Sequence, residues 1–158
     1  MSAVEDWFEI FQLQHEYARR FDEPQSPGKP ADAERIARQV AVLFTEDGRW
    51  SGGHRDDLYV GREQLRRGFT DRIRAARQGK GLVRVPVLHV MTNPVIKIHD
   101  DQAEGNWYML CFHFSDESRT LPGSLKYAGT YSVQYHRSDQ GWRIVQMHLD
   151  VHSSAPTD

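Results

Sequence analysis

One cysteine, Cys111, stands among 158 residues, so no internal disulfide can form, and a reducing compartment suits the chain. No apolar run approaches the ~18 residues that a membrane-spanning helix needs. The N-terminal stretch MSAVEDWFEI lacks the basic-then-apolar order of a secretory signal. Charge of one sign is missing too: 20 Lys and Arg stand against 22 Asp and Glu, a net of −2. That balance gives nucleic acid or an anionic membrane no electrostatic foothold. Repeats, low-complexity tracts and linkers are also absent. The expectation is a single domain over 1–158, in the cytoplasm.

Residues 4–21 carry Val4, Trp7, Phe8, Phe11 and Ala18 on one stripe, with Ile10, Leu13, Tyr17 and Phe21 beside it. That spacing predicts a helix with a broad apolar face that covers a sheet. Pro24, Pro27, Gly28 and Pro30 end it in a loop. A second helix is expected over about 32–44, followed by a turn at Glu46-Asp47-Gly48 and a short strand at Arg49–Ser51. A hairpin loop then precedes Leu58-Tyr59-Val60, and Gly61 opens a third helix to about Gln78 with Leu65, Phe69 and Ile73 inward. After Gly81 the pattern predicts only strands, at 82–98, 102–114, 125–137 and 142–152. Pro94 inside the first of these implies a bulge or bend that curves the sheet. Helices first and an antiparallel meander second make an α+β fold. A bent sheet with helices over its concave side is a cone enclosing a pocket.

Two histidines sit in apolar strands: His89 between Leu88 and Val90, and His113 between Phe112 and Phe114. A titratable group in such a setting costs free energy unless partnered, which marks both as candidates for chemistry. Their register is open, because a one-residue shift places them on opposite faces, and a bulge at Pro94 either repairs or causes that shift. Cys111 has no base beside it in sequence and reads as packing. In His148-x-Asp150-x-His152 the two histidines would lie ~13 Å apart at a rise of ~3.3 Å per residue. One ion at ~2.1 Å from each ligand cannot bridge that, so no metal is expected. Trp50, Trp107, Tyr108, Met109, Phe112, Tyr127 and Tyr131 are expected to divide between core and pocket wall, with Trp50, Trp107, Met109, Tyr127 and Tyr131 as the substrate-binding set. A pocket drawing on them suits a flat, aromatic or polycyclic ligand.

The element order, together with LFTEDGRW, YVGREQLRRGF, HVMTNP, GNWYML and GWRIVQMHLD, resembles the SnoaL-like branch of the NTF2-like superfamily over nearly the whole chain. The resemblance implies a cone-shaped fold with a curved, mostly antiparallel sheet, a small hydrophobic ligand and no cofactor. By analogy it also implies a homodimer or homotrimer. Within the superfamily the pattern is most similar to scytalone dehydratase and the bile-acid dehydratases. Phe21-Asp22 matches the Tyr-Asp pair that ends the first helix in the former, and Tyr17 and Asp22 repeat the five-residue offset of the latter. His89 falls on the histidine of the first long strand, and His113 lies eight residues after Gly105, where scytalone dehydratase has its second histidine.

The resemblance therefore implies Tyr17, Asp22, His89 and His113 as the working group of a lyase or isomerase. Such chemistry needs a base of near-neutral pKa, a donor for the developing enolate oxygen and an acid for the leaving group. His89 would be the base, Asp22 its orienting partner, Tyr17 the donor, and His113 the acid or a binding group. Gly129 and Tyr131 replace small polar residues that contact substrate in scytalone dehydratase, which implies a different substrate. Two alternatives remain. The chain is also similar to the small, structural subunit of aromatic-ring-hydroxylating dioxygenases, which needs a large iron-bearing partner. A polyketide-cyclase-like ligand-binding protein would keep the pocket and use only part of the constellation.

Overall fold

Ser2 starts the first helix by reciprocal capping: its hydroxyl accepts the Glu5 N–H at 3.3 Å, and the Glu5 carboxylate accepts the Ser2 N–H at 2.7 Å. This helix, α1, runs Ala3–Phe21 and ends on Asp22, whose N–H donates to Ala18 O at 3.1 Å. The computed structural model describes residues 2–22, 33–53, 57–77, 87–113 and 124–154. The Pro-rich stretch after Asp22 and the strand start expected at 82–86 lie outside them. The other helices are α2 (Ala33–Ala41) and α3 (Arg62–Arg77). The strands are β1 (Phe44–Gly52), β2 (Asp57–Val60), β3 (Val87–His99), β4 (Gln102–His113), β5 (Ser124–Ser138) and β6 (Gly141–Ser154). They form one sheet in the order β2-β1-β6-β5-β4-β3, antiparallel except at β1–β6. The α+β architecture is the expected one. No helix among the described residues is long and apolar enough to cross a membrane.

Two local expectations are corrected. The second helix stops at Ala41, and the strand begins at Phe44 rather than at Arg49. Phe44 is wholly buried and pairs with Ile144, while the Arg62 guanidinium donates to its carbonyl at 2.9 and 3.2 Å. The turn-forming Glu46-Asp47-Gly48 survives as an irregularity inside β1, where the register with β6 slips between Phe44 and Arg49. The second correction concerns α1. Val4 and Phe8 are exposed, and the inward face is instead Asp6, Ile10, Gln14, Tyr17 and Ala18. Two polar residues can face the core because donors reach their oxygens, although the buried Gln14 Nε2 has no partner among the described residues. Asp6 accepts from Trp142 Nε1 at 2.9 Å and from Arg137 Nη1 at 2.7 and 2.8 Å, and Gln14 Oε1 accepts the Tyr135 hydroxyl at 2.8 Å.

The β3–β4 ladder settles the histidine register. Next to the turn, His99 pairs with Gln102 and Val95 with Asn106; continued unbroken, that ladder would pair His89 with Phe112 and put His113 on the opposite face. Instead Asn93 and Pro94 together oppose the single residue between Asn106 and Tyr108, and above this bulge Thr92 pairs with Tyr108 and His89 with Cys111. Asn93 takes the left-handed conformation the bulge requires, with φ of 50°, and Asn tolerates it better than most residues. Pro94, which has no N–H to give a ladder, occupies a place where none is needed. His89, Cys111 and His113 therefore share one face.

Candidate active site

A cavity of about 220 Å³ opens between the C-terminal half of α1, α3 and the concave face of the sheet. Its wall is mostly apolar or aromatic, with two polar groupings. One is His89, Cys111 and His113; the other is the ion pair of Arg72 and Asp57, at 2.8 Å.

Asp22 is brought to the first grouping by the termination of α1. Its Oδ1 lies 2.6 Å from His89 Nδ1, and its Oδ2 accepts the backbone N–H of His89 at 2.7 Å. With both oxygens engaged, the carboxylate cannot rotate, and Nδ1 must carry a proton because a carboxylate only accepts. Nε2 is left as the ring nitrogen open to chemistry. The side chains of His89 and Asp22 are only 17 % and 13 % exposed, which strengthens the interaction by excluding water.

Cys111 stands directly across the ladder from His89, with Tyr127 opposite it on the next strand. Burial disfavours charge on His89, but hydrogen bonds to Asp22 and Cys111 outweigh it and raise its pKa to about 9. Burial likewise resists ionisation of Cys111, but hydrogen bonds with His113 and His89 overcome it and bring the thiol down to about 6. Between those values His89 and Cys111 hold one proton between them, as imidazolium with thiolate or as imidazole with thiol. Cys111 is thus more than the packing residue its sequence neighbours suggested: it is buried, but it lines the cavity beside both histidines.

Tyr17 is 4 % exposed and its hydroxyl accepts Trp50 Nε1 at 3.0 Å. Tyr131 OH lies 3.5 Å away, a long hydrogen bond in which either hydroxyl can be the donor. Burial pushes the Tyr17 phenol well above its ordinary range and the Tyr131 phenol up to about 12, so both stay protonated donors. Trp50, Tyr127 and Tyr131 line the cavity. Trp107 and Met109 do not. They lie on the same sheet face but are wholly buried under α1, where Trp107 packs against Phe11 and donates to Tyr135 OH at 3.0 Å.

Among the described residues no three His, Cys, Asp or Glu side chains are grouped as a metal site would need. On β6, His148 instead meets Ser51 Oγ at 2.9 Å, and His152 meets Thr130 Oγ1 at 3.2 Å, both at exposed positions. Sequence reading missed Arg72 and Asp57 as cavity residues. Arg72 is one of several basic residues on α3, and the packing of α3 over Trp50 turns it inward, with its Cζ 4.1 Å from that ring's centroid.

The SnoaL-like domain family matches residues 2–148. Solved structures of the same fold include an NTF2-like protein with a cystatin-like fold from Novosphingobium aromaticivorans, at 18 % identity and TM-score 0.71, covering 96 % of this chain and 85 % of that one. A proposed scytalone dehydratase from the same organism matches at 16 % identity and TM-score 0.71, with 98 % and 89 % covered. A proposed aromatic ring hydroxylase, again from that organism, matches at 20 % identity and TM-score 0.71, with 97 % and 93 % covered. No curated protein matches the chain.

Proposed function

The chain belongs to the SnoaL-like family, and from that premise we propose that it is a cofactor-independent lyase or isomerase. It removes a proton beside the carbonyl of a small, hydrophobic, ring-bearing substrate. The observation that carries this reading is the 2.6 Å contact between Asp22 Oδ1 and His89 Nδ1 at the wall of a cavity. A dyad of this geometry fixes the tautomer and directs Nε2 to the substrate. A cavity of about 220 Å³ falls below the ~300–1,000 Å³ of sites for drug-sized ligands, which favours one or two fused rings over a larger polycycle.

In this mechanism an apolar substrate displaces water and disfavours separated charge, so the shared proton moves to Cys111 and frees His89 Nε2 as the base. Nε2 takes the proton from the carbon beside the carbonyl, and Tyr17 donates a hydrogen bond to the enolate oxygen that develops. His113 assists a leaving hydroxide or holds the substrate. The protein works as one domain over 1–158, in the cytoplasm, as a homodimer or homotrimer.

A purely structural role, as in the small dioxygenase subunit that the chain also resembles, would leave the dyad without a task. The two readings separate in a substrate-independent assay: hydrogen–deuterium exchange beside the carbonyl of 2-tetralone, followed by proton NMR. The chain is expected to accelerate exchange, with a fall below pH about 6, where the His89–Cys111 pair takes up its second proton. His89→Ala is expected to lose the ~10²–10⁴-fold contribution typical of a positioned base. Exchange as fast in His89→Ala as in the parent chain would rule out the base assignment.

A further inference from the structure

Arg72 has no part in the proton transfer above, yet it is the one permanently cationic side chain among the described residues lining the cavity. It projects from α3 onto Trp50, with Cζ 4.1 Å from that ring and 5.8 Å from the ring of Tyr59. Nε donates to Tyr59 OH at 3.2 Å, and Nη2 donates to Gly52 O at 3.2 Å and to Asp57 Oδ2 at 2.8 Å. These contacts fix the position of the guanidinium over Trp50. They do not use it up: Nη1 bonds to no acceptor among the described residues, and Asp57 Oδ2 is shared with the Tyr59 hydroxyl at 2.8 Å.

The placement gives that spare donor edge a meaning. In the sheet order, β1, which carries Trp50, and β3, which carries His89, are separated by β6, β5 and β4. The cation and the base therefore line one cavity from separate parts of the fold, and Tyr17, Tyr127 and Tyr131 line it as well. Arg72 acts on all three phenols: burial raises each pKa, and the Arg72 charge opposes that rise in each. A negative oxygen lodged in the cavity would feel the same field.

We propose that Arg72 anchors an acidic group of the substrate, so that the cavity takes a mono- or bicyclic aromatic ketone that also carries a carboxylate. The carboxylate sits on Nη1, and the carbon to be deprotonated faces His89. This assignment rests on the cavity being the substrate site, and it names what that substrate must carry.

The test is calorimetric titration of the full chain with 2-naphthoate and with its uncharged isostere 2-acetylnaphthalene. The parent chain is expected to bind 2-naphthoate at least about tenfold more tightly, the scale of one charge-assisted hydrogen bond. Arg72→Met should abolish that preference, Arg72→Lys should keep part of it, and Asp57→Asn, which removes the competing carboxylate, should widen it. Equal affinities in the parent chain, binding of neither probe, a preference that survives Arg72→Met, or a preference that narrows in Asp57→Asn would each overturn the assignment. His89→Ala keeps the preference. Loss of exchange with the preference intact therefore strikes only the base assignment, and loss of the preference with exchange intact strikes only the anchor.

Discussion

The two ends of α1 each carry an aspartate held by two donors, and they do different things. At the N-terminal end Asp6 meets Arg137 and Trp142, neither of which can give up a proton near neutral pH, and its side chain is 7 % exposed. Hydrogen bonds from Trp142 and Arg137 hold its carboxyl below the usual range against the opposing effect of burial. That cluster fastens the helix to the sheet and stops there. At the C-terminal end Asp22 meets a histidine, whose proton is exchangeable, and the histidine borders a cavity. Similar carboxylates in similar burial become a clamp or a candidate catalytic dyad according to whether the partner titrates and what lies behind it.

Exchanging each aspartate for its amide tests the contrast most severely. Asp22→Asn is expected to lower 2-tetralone exchange by at least ~10²-fold, because the amide permits the wrong tautomer of His89, in a chain that remains folded at the assay temperature. Asp6→Asn is expected to do the reverse: a lower unfolding midpoint in urea, with the exchange rate of the remaining folded protein unchanged. A similar loss of activity in both variants would mean that the two ends do not divide the labour.

Asn93→Val addresses the geometry that brings the histidines together. A β-branched residue at a φ of 50° should cost about 1–2 kcal/mol, read as a shift of the urea midpoint. A smaller effect concerns proton linkage. His89, raised to about 9, adds stability that is complete below its unfolded value and is lost as pH rises toward 9. Cys111, lowered to about 6, adds stability that grows over the same interval as its thiolate forms. The folded and unfolded pairs then hold equal numbers of protons between about 6.5 and 9, and stability should be nearly flat there. In Cys111→Ala the thiol contribution is gone and the histidine keeps only the part that Asp22 supplies, so stability should decline as pH rises above 6.5, by less than a His89 pKa of about 9 alone would give. Urea titrations at pH 6.5 and 8.5 on both proteins would show a slope in the variant alone; a slope of equal size in the parent chain would mean that the two groups do not share a proton.

Much of this could be read from the chain. Alternation, turn residues and the position of the helices were enough for the α+β cone, and the resemblance pointed to Asp22 and His89 before any distance was known. What stayed hidden depended on partners distant in sequence. The inward face of α1 could not be read because Asp6 and Gln14 look like surface residues until Trp142, Arg137 and Tyr135 arrive from β5 and β6. Cys111 gained its histidine across the strand from β3, and Arg72 its aromatic seat from β1. Trp107 and Met109 had the right parity for the pocket, but alternation says nothing of which stretch of a sheet face a helix covers.

The bulge at Asn93–Pro94 gives β3 one residue of slack. A chain shortened by one residue between Met91 and Ile98 can close the ladder, lose its bend and still present His89 opposite Cys111. A chain lengthened by one residue there has no second loop of slack to absorb the addition, and its histidine turns to the outer face. Insertions and deletions of equal size are thus unequal in this strand, and drift in its length can safely run in only one direction.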